Sequence, residues 1–435
     1  MRKVSKMPPF IALFIVLFAA ACKKNTVPQQ SKTETSTTLP VTTPVAPTAP
    51  VAVTPSYEVG TGSGYLTIDG KSMDLTAIKL IKIKAGAYRG ITIKNISATA
   101  AQPVSIKNNG QISITESMQT ENVNNVIIAG DNISGITYGF LFENISYRAI
   151  SLNGKMSGVT LKSMKFKNVS DYVISGNSGN DSGLKYDGSS ETRTENFKIL
   201  NCDFDNSGSI SFGGNLNGSE DSGFFKDVEI AYCSFENTNA GTVCSFTNVQ
   251  DYNIHHNVVN NLNQTNNDHN GIFFMQGNGK FHDNKLTNYQ GNSIRMWLYS
   301  RGSTPATNEI YNNICYNTRK YSGFELQGFS RNLVSGKTTF ANAKVYNNTV
   351  GKMNTSKDWE GQVLDVYNYG GTLEYYNNLG FELNGSKSIT NMLNNMSDTK
   401  ILKEENNKYF SQQSSAVANT STFNSLTAGL GASGI

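Results

Sequence analysis

An eight-residue pattern that recurs along the chain decides the fold: it reads IHHNVVNN at residues 254–261, FHDNKLTN at 281–288 and IYNNICYN at 310–317. Each copy has an apolar residue in its first and sixth places and Asn in its fourth and eighth places. Earlier copies, with a different residue in the fourth place, begin at Leu161, Ile199 and Ile230, and a last copy without the final Asn begins at Val345. Counted from Asn144, the final Asn residues lie 24, 38, 31, 24, 27 and 29 residues apart.

A period of about 25 residues with insertions is typical of one coil of a parallel β-solenoid. Successive coils stack at the inter-strand spacing of ~4.8 Å, so equivalent residues lie above one another. We therefore expect an all-β solenoid of roughly ten or more coils over residues 57–410. A β-sandwich is the alternative, but it would not repeat one motif in register. A leucine-rich horseshoe fits poorly because Leu is sparse.

The fourth place of the pattern predicts a buried column of side chains. Asn257, Asn284 and Asn313 occupy it in the later copies, and Cys202 and Cys233 occupy it in two earlier ones. Stacked amides can satisfy one another and the turn backbone, which buried polar groups require. We interpret the two Cys as small buried residues, because no Cys pair has the close spacing of a zinc site.

The first residues have the form of an export signal. Arg2, Lys3 and Lys6 precede an apolar stretch at residues 10–21, which is too short to cross a bilayer of ~30 Å. The following Ala19-Ala20-Ala21-Cys22 resembles the lipobox of bacterial lipoproteins, which implies cleavage after residue 21 and acylation of Cys22. We expect residues 1–21 to be a signal peptide and residues 22–56, rich in Thr and Pro, to be an extended tether.

This N-terminal region predicts a lipid-anchored protein of the bacterial cell envelope, at the outer membrane or cell surface.

The chain has 37 basic and 33 acidic residues, and without residues 1–56 it has 31 and 32, so the folded part is nearly neutral. A nucleic-acid ligand is therefore not expected. Residues 411–435 form a C-terminal segment rich in Ser, Thr and Ala. We expect a monomer.

Three stretches before the first copy carry a family resemblance: IKIKAGAY at residues 81–88, ITI at 91–93 and QPVSI at 102–106. Together with the repeat they resemble the right-handed parallel β-helix, or pectin-lyase-like, superfamily. Its polysaccharide lyases of the chondroitinase-B and alginate-lyase kind use a Lys base, an Arg on the next coil and often Ca²⁺. Here Gln276 stands where that Lys would be expected, and we assign it to substrate binding. Calcium is expected from this resemblance alone.

A second strand aligned in each coil predicts the functional face. It reads Ile294-Arg295-Met296-Trp297, then Phe324-Glu325-Leu326-Gln327, then Leu364-Asp365-Val366-Tyr367. Upstream we align it as Ile210-Ser211-Phe212-Gly213, Val243-Cys244-Ser245-Phe246 and Ile272-Phe273-Phe274-Met275. Alternation directs the second and fourth residues of each strand outward. The catalytic candidates on this face are Arg295, Glu325 and Asp365, and the substrate-binding candidates are Trp297, Gln327 and Tyr367.

These residue types suit a sugar chain in one shallow groove that needs no covering loop. Aromatic rings cover the C–H faces of sugars, and Arg forms forked contacts with a uronate or sulfate. Glu325 and Asp365 on neighbouring coils would repel each other, which raises the pKa of one of them towards use as a general acid. The alternative is that Arg295, Glu325 and Asp365 form a solvent-exposed ladder of ion pairs.

The four His residues lie between positions 255 and 282. His269 follows Asp268 in a loop that could overhang the outward face, which makes His269 a catalytic candidate and Asp268 a substrate-binding candidate. His255 and His282 hold equivalent outward places and are expected to stack. A metal site formed by His255, His282 and Asp283 is less favoured than this surface pair.

The sequence thus predicts a lipid-anchored β-helix that binds and cleaves a polysaccharide, as a polysaccharide lyase or a glycoside hydrolase, and the resemblance to lyases implies a polymer that contains uronic acid. Two other classes stay open, a non-catalytic glycan-binding or adhesion protein and a structural envelope protein. Whether acid and base converge in the groove separates an enzyme from a binding protein.

Overall fold

The computed structural model describes residues 55–177, 184–334, 338–385 and 392–435. Its strands are β1 (Ser56–Val59), β2 (Ser63–Asp69), β3 (Leu80–Ser97), β4 (Val104–Asn124), β5 (Val126–Ala129), β6 (Phe140–Ile145), β7 (Ile150–Asn153), β8 (Thr160–Lys162), β9 (Met164–Val169), β10 (Ile174–Asn177), β11 (Thr194–Leu200), β12 (Asp203–Ser207), β13 (Ile210–Phe212), β14 (Phe225–Ala231), β15 (Ser234–Glu236), β16 (Cys244–His255), β17 (Val258–Leu262), β18 (Gly271–His282), β19 (Lys285–Tyr289), β20 (Asn292–Leu298), β21 (Ser300–Arg301), β22 (Thr307–Tyr311), β23 (Ile314–Thr318), β24 (Phe324–Gly328), β25 (Thr338–Thr339), β26 (Asn342–Tyr346), β27 (Thr349–Met353), β28 (Leu364–Tyr367), β29 (Thr372–Tyr376), β30 (Leu379–Leu383), β31 (Leu393–Asn395), β32 (Lys400–Glu405) and β33 (Lys408–Phe410). Helical structure is limited to 3₁₀ turns at Gly70–Ser72 and Ser190–Thr192 and the short helix α1 (Gln413–Ala416).

The protein is all-β, and 31 of these strands form one large parallel sheet; β21 and β25 form a separate antiparallel pair. From β7 onward, strands pair with the equivalent strands of the preceding and following repeats, giving three ladders. The first ladder runs through β8, β11, β14, the end of β16, the end of β18, β22, β26, β29 and β32. The second runs through β9, β12, β15, β17, β19, β23, β27, β30 and β33. The third runs through β7, β10, β13, the starts of β16 and β18, β20, β24, β28 and β31.

The predicted buried column of Asn residues is confirmed. Asn257 Nδ2 donates to Asn284 Oδ1 at 3.0 Å, and Asn284 Nδ2 donates to Asn313 Oδ1 at 3.0 Å. Each amide also accepts a bond from the backbone N–H of the preceding member, so both ends of the side chain are satisfied. Cys233 belongs to the same column, because its backbone N–H donates to Asn257 Oδ1. Cys202 and Cys233 are buried free thiols, as the sequence predicted.

The eighth place of the repeat has a different role, because its Asn residues adopt the left-handed backbone conformation that Asn tolerates better than most residues. The residues with such positive φ angles, between 48° and 63°, are Asn144, Asn168, Asn206, Asn237, Asn261, Asn288 and Asn317. Their amides form an exposed ladder in which Asn168 and Asn206 each donate to the preceding member at 2.9 Å. This Asn therefore ends one strand and turns the chain toward the next.

Two of the predicted strand alignments are wrong by one residue. The third ladder pairs Ser211 with Ser245, Ser245 with Phe274, and Phe274 with Arg295. Ser245 and Phe274 therefore point outward, where the sequence alignment had placed them inward. The reason is that residues 272–275 are a continuous apolar run, in which alternation gives no signal for the register.

The C-terminal segment at residues 411–435 packs against the outer side of the second ladder. There Ile314, Leu379 and Phe381 form a small apolar cluster with Phe423 and other residues of the segment. Polar contacts fix the segment along several repeats: Lys285 Nζ donates to the Ser421 carbonyl at 2.7 Å, and the Ala432 N–H donates to Thr349 Oγ1 at 2.9 Å. The segment thus covers apolar side chains that the ladder would otherwise expose to water.

Candidate functional site

The third ladder brings the residues of the predicted functional face together in register. Arg295 pairs with Glu325, and Glu325 pairs with Asp365, which itself lies beside Asn394. In the next outward row, Gln276, Trp297, Gln327 and Tyr367 are consecutive partners. The two rows, apart from the covered Gln276, form the floor of the candidate site. Their side chains lie one inter-strand spacing apart, ~4.8 Å, from one repeat to the next.

In a shallow, uncovered groove the Glu325 side chain would be open to solvent. In the structure Glu325 is only 1% exposed. Arg295 Nε donates to its Oε1 at 2.8 Å, and His269 Nε2 lies 2.9 Å from its Oε2. Arg295 also donates from NH1 to the His269 carbonyl at 2.9 Å. The loop that carries His269 therefore folds over the floor, as the predicted overhang implies, and the expectation that no loop covers the groove is wrong at this point.

The position of the His269 proton follows from its neighbours. Nε2 lies 3.0 Å from Asn292 Oδ1 as well as 2.9 Å from Glu325 Oε2, and both atoms are acceptors. The Asn292 amide is oriented by its own bond to the Ser322 carbonyl. In the neutral ring the proton therefore lies on Nε2. Nδ1 makes no hydrogen bond to any described residue, so it keeps its lone pair for another partner.

The two floor carboxyls have pKa values displaced in opposite directions. For Glu325, burial works to raise the pKa, but the nearby His269 and the charge and hydrogen bond of Arg295 outweigh it and lower the pKa. For Asp365, burial raises the pKa to about 7, and the charge of Glu325 adds to this effect. Hydrogen bonds from Ser322 and Asn394 oppose the rise without cancelling it. Asp365 is 5% exposed, so it lies at the bottom of the site.

Aromatic rings border the carboxyls on the second row. Trp297 contacts Phe274 edge-on, with ring centroids 5.1 Å apart, and lies 5.2 Å from Phe329. The Arg295 guanidinium lies 5.9 Å from the Trp297 ring centroid. Tyr367 is half-buried, and burial, together with the charges of Asp365 and Glu325, raises its pKa to about 12. These rings are partly exposed, which suits contact with the C–H face of a sugar.

Two further aromatic residues, which the sequence analysis missed, extend the site past His269. Tyr321 stacks on the His269 ring at 4.2 Å, and the exposed Trp359 contacts Tyr321 at 5.8 Å. A signal was present in the sequence, because Tyr321 precedes Glu325 by four residues at the entrance to the same strand. Trp359 is also one of only two Trp residues in the chain.

The loop over the floor is held by contacts from two sides. Arg319 donates from NH1 to Asn267 Oδ1 at 2.8 Å and also bonds the Asn266 carbonyl, while the Tyr321 hydroxyl donates to the Asn267 carbonyl at 3.2 Å. Asp268 takes part through its backbone, since its carbonyl accepts a bond from Gln290. Its side chain is exposed and makes no hydrogen bond or ion pair with a described residue of the floor.

Gln276 does not line the open site, which corrects its assignment to substrate binding. The residue is 0% exposed. Its Nε2 donates to the Leu216 carbonyl at 2.9 Å, and its Oε1 accepts a bond from Arg331 at 2.8 Å. Both partners belong to segments inserted between strands. A buried ion pair between Arg301 and Asp221, at 2.7 Å, further fixes this cover.

The predicted His pair lies on the first ladder, apart from the floor residues. His255 and His282 stack with ring centroids 5.0 Å apart and an interplanar angle of 7°, so this prediction is confirmed. His282 Nδ1 lies 2.6 Å from Asp283 Oδ2. Among the described residues there is no group of three or more His, Cys, Asp or Glu that could hold a metal ion. The calcium implied by the family resemblance therefore has no ligand set among the described residues.

Cys22, the signal peptide at residues 1–21 and the tether up to residue 54 lie outside the described residues. In the ranges that are described, no helix is long and apolar enough to cross a membrane. No protein-family profile and no curated protein sequence matches the chain.

Proposed function

We propose that the three ladders are the faces of a right-handed parallel β-helix of the pectin-lyase-like kind. Support comes from the order of the strands, since each repeat visits the first, second and third ladders in turn and then returns to the first. Each connection between parallel partners is a crossover, and such crossovers are right-handed in ~98% of cases. The stacked Asn column supports the same arrangement, because its members are one repeat apart along the chain.

We propose that the third-ladder site binds a polysaccharide and cleaves it. The observation that carries this proposal is the stacking of Arg295, Glu325 and Asp365 on successive strands, with His269 over Glu325 and its Nδ1 bonded to no described residue. Acid and base assignments are found where neighbouring groups have pKa values pushed apart by their surroundings. The partly exposed rings of Trp297 and Tyr367 lie beside these residues and suit a sugar.

The favoured chemistry is elimination from a uronic-acid polymer. His269 Nδ1 takes the proton from the carbon next to the uronate carboxyl, and the electrons of that C–H bond form the new C=C double bond. The glycosidic C–O bond breaks, and Asp365 gives its proton to the departing oxygen. Asn292 Oδ1 accepts the His269 Nε2 proton, and the Glu325 carboxylate, whose Oε2 lies 2.9 Å from Nε2, stabilises the charge of the imidazolium that forms. Arg295 NH2, which bonds no described residue, is the donor for the uronate carboxylate.

We further propose that Cys22 is acylated and that the domain is anchored at the bacterial cell envelope as a monomer. This proposal is supported by the charged, apolar and small-residue regions of residues 1–22 and by the Thr- and Pro-rich tether that follows. A stable anchor needs more than one acyl chain or a second membrane signal, which a lipoprotein anchor supplies.

A second candidate function is glycan binding without cleavage. It is favoured by the burial of Glu325, whose oxygens already face Arg295 and His269. In that case the aromatic rings would still hold a sugar chain, and the charged groups would be structural.

Product analysis separates these functions. The purified domain is incubated with alginate, polygalacturonate and chondroitin sulfate, and with amylose as a neutral control. Absorbance from unsaturated products and the number of reducing ends are recorded together. Elimination gives both signals in parallel, hydrolysis gives reducing ends alone, and a binding protein gives neither although the polymer is retained.

A further inference from the structure

A second aromatic and cationic cluster lies several repeats upstream of the candidate site. The Arg148 guanidinium carbon is 5.1 Å from the Tyr147 ring centroid and 5.3 Å from the Tyr172 ring centroid. Tyr147 is 61% exposed and Tyr172 is 40% exposed. We call these three residues the upstream cluster. Two large exposed rings around one cation are not needed for the core, and they form a surface that can contact a ligand.

The upstream cluster lies on the same edge of the third ladder as the candidate site. Tyr147 precedes the outward Ser151 by four residues, as Tyr321 precedes the outward Glu325 by four. The ladder connects these two positions directly through Ser175, Ser211, Ser245, Phe274 and Arg295. Six steps at the inter-strand spacing separate Ser151 from Glu325, which gives about 29 Å.

The floor between the two places is suited to an extended polar chain. Ser151, Ser211 and Ser245 are half-buried on the outward row, and Ser175 between the first two is buried, at 4% exposed. Small hydroxyl side chains leave room above the sheet and can both donate and accept hydrogen bonds. No bulky side chain of this row interrupts the path before Phe274. One sugar polymer can therefore lie along the ladder from the upstream cluster to His269.

The Arg148 guanidinium has donors that can bind an anion. Its only hydrogen bond to a described residue is the long one from Nε to Asp171 Oδ2, at 3.4 Å. The donors NH1 and NH2 bond no described residue, while the two rings hold the guanidinium plane in place. A forked donor whose position is fixed in advance matches a carboxylate or sulfate and loses little entropy on binding.

We propose that the upstream cluster is a distal subsite for the same anionic polysaccharide, so that long chains bind through both places and short oligosaccharides bind at the candidate site alone. This inference rests on the proposed function and adds a dependence on chain length. Binding through two places on one chain raises affinity without any new contact at the site of cleavage.

The test compares wild type with the double variant Tyr147→Ala/Arg148→Gln. Affinity is measured for the polymer that wild type binds most tightly among alginate, polygalacturonate and chondroitin sulfate, and for the trisaccharide of the same polymer. Matched controls are Tyr232→Ala, an exposed ring (54%) at a turn after the first ladder, and Lys403→Gln, a cation 3.8 Å from the Tyr376 ring centroid on the first ladder. Urea unfolding confirms that each variant is folded.

We expect the double variant to lose about tenfold in affinity for the polymer, with the trisaccharide and both controls unchanged. The loss should shrink at high salt, since an anion contact is screened. An unchanged polymer affinity, or an equal loss for polymer and trisaccharide, would overturn the distal subsite while leaving the proposed function intact. Failure of wild type to bind any of the polymers would instead remove the proposed function, and the subsite with it.

Discussion

The raised pKa of Asp365 makes the stability of the protein depend on pH in a direction that can be calculated. The ordinary pKa of the side chain is 3.8, and the folded value is about 7, a displacement of about three units. At ~1.36 kcal/mol per unit, the folded state gains up to ~4 kcal/mol from keeping Asp365 protonated. Because the folded pKa is the higher one, this stabilisation is complete below about pH 4 and is lost as the pH rises to about 7.

Asp365→Asn removes this dependence while keeping the shape of the side chain. The free energy of unfolding of wild type and variant is measured by urea denaturation at intervals from about pH 4 to about pH 8. The difference, wild type minus variant, should fall by up to ~4 kcal/mol over that range and then stay level. Curves that remain parallel at every pH would refute the assignment of a buried, protonated Asp365.

Asp187 provides a control, because its pKa is displaced in the direction opposite to that of Asp365. The hydrogen bonds of Thr192 and Ser189 lower the pKa of the exposed Asp187 to about 2. Its contribution to stability is present above the ordinary pKa and is lost as the pH falls. For Asp187→Asn the difference between wild type and variant should therefore stay level from about pH 4 to about pH 8 and fall only below about pH 4.

Three further predictions concern the fold, the site and the anchor. Asn284→Leu should destabilise the protein by ~1–3 kcal/mol, because the donors of Asn257 and the Ile254 carbonyl lose their partner, whereas Asn217→Leu at an exposed turn should cost under ~0.5 kcal/mol; urea unfolding of both variants checks this. Trp297→Ala should weaken polysaccharide binding by roughly tenfold in a titration, and an unchanged affinity would place the sugar elsewhere. Cys22→Ser should leave an unacylated protein in the soluble fraction of the expressing cells, and a variant that still sediments with the membranes would contradict the lipoprotein assignment.

The buried column could be predicted from the sequence because its physics leaves a periodic trace. A buried amide needs partners for both of its ends, and only an amide at the same place in the next repeat supplies them for Asn257, Asn284 and Asn313 alike. The outward residues of the functional face could be predicted in the same way, since strand alternation and the repeat together fix which residues stack. Arg295, Glu325 and Asp365 are neighbours for that reason.

What the sequence did not reveal lies mainly in segments that do not repeat. Gln276 occupies an outward place, but Leu216 and Arg331 come from insertions whose packing has no periodic signal. The burial of Glu325 depends likewise on the loop of His269. The apolar patch under residues 411–435 could not be recognised, because Ile314 and Phe381 are indistinguishable in sequence from inward residues of the same strands.

The most direct test of the central claim measures binding and turnover on the same polymer for wild type and Asp365→Asn. If Asp365 is the general acid, the variant should bind the polymer within about twofold of wild type and lose turnover by at least ~10²-fold, the usual effect of removing such a group. Turnover that survives the substitution, or turnover and affinity that fall together, would contradict the assignment of Asp365 as the proton donor of this site.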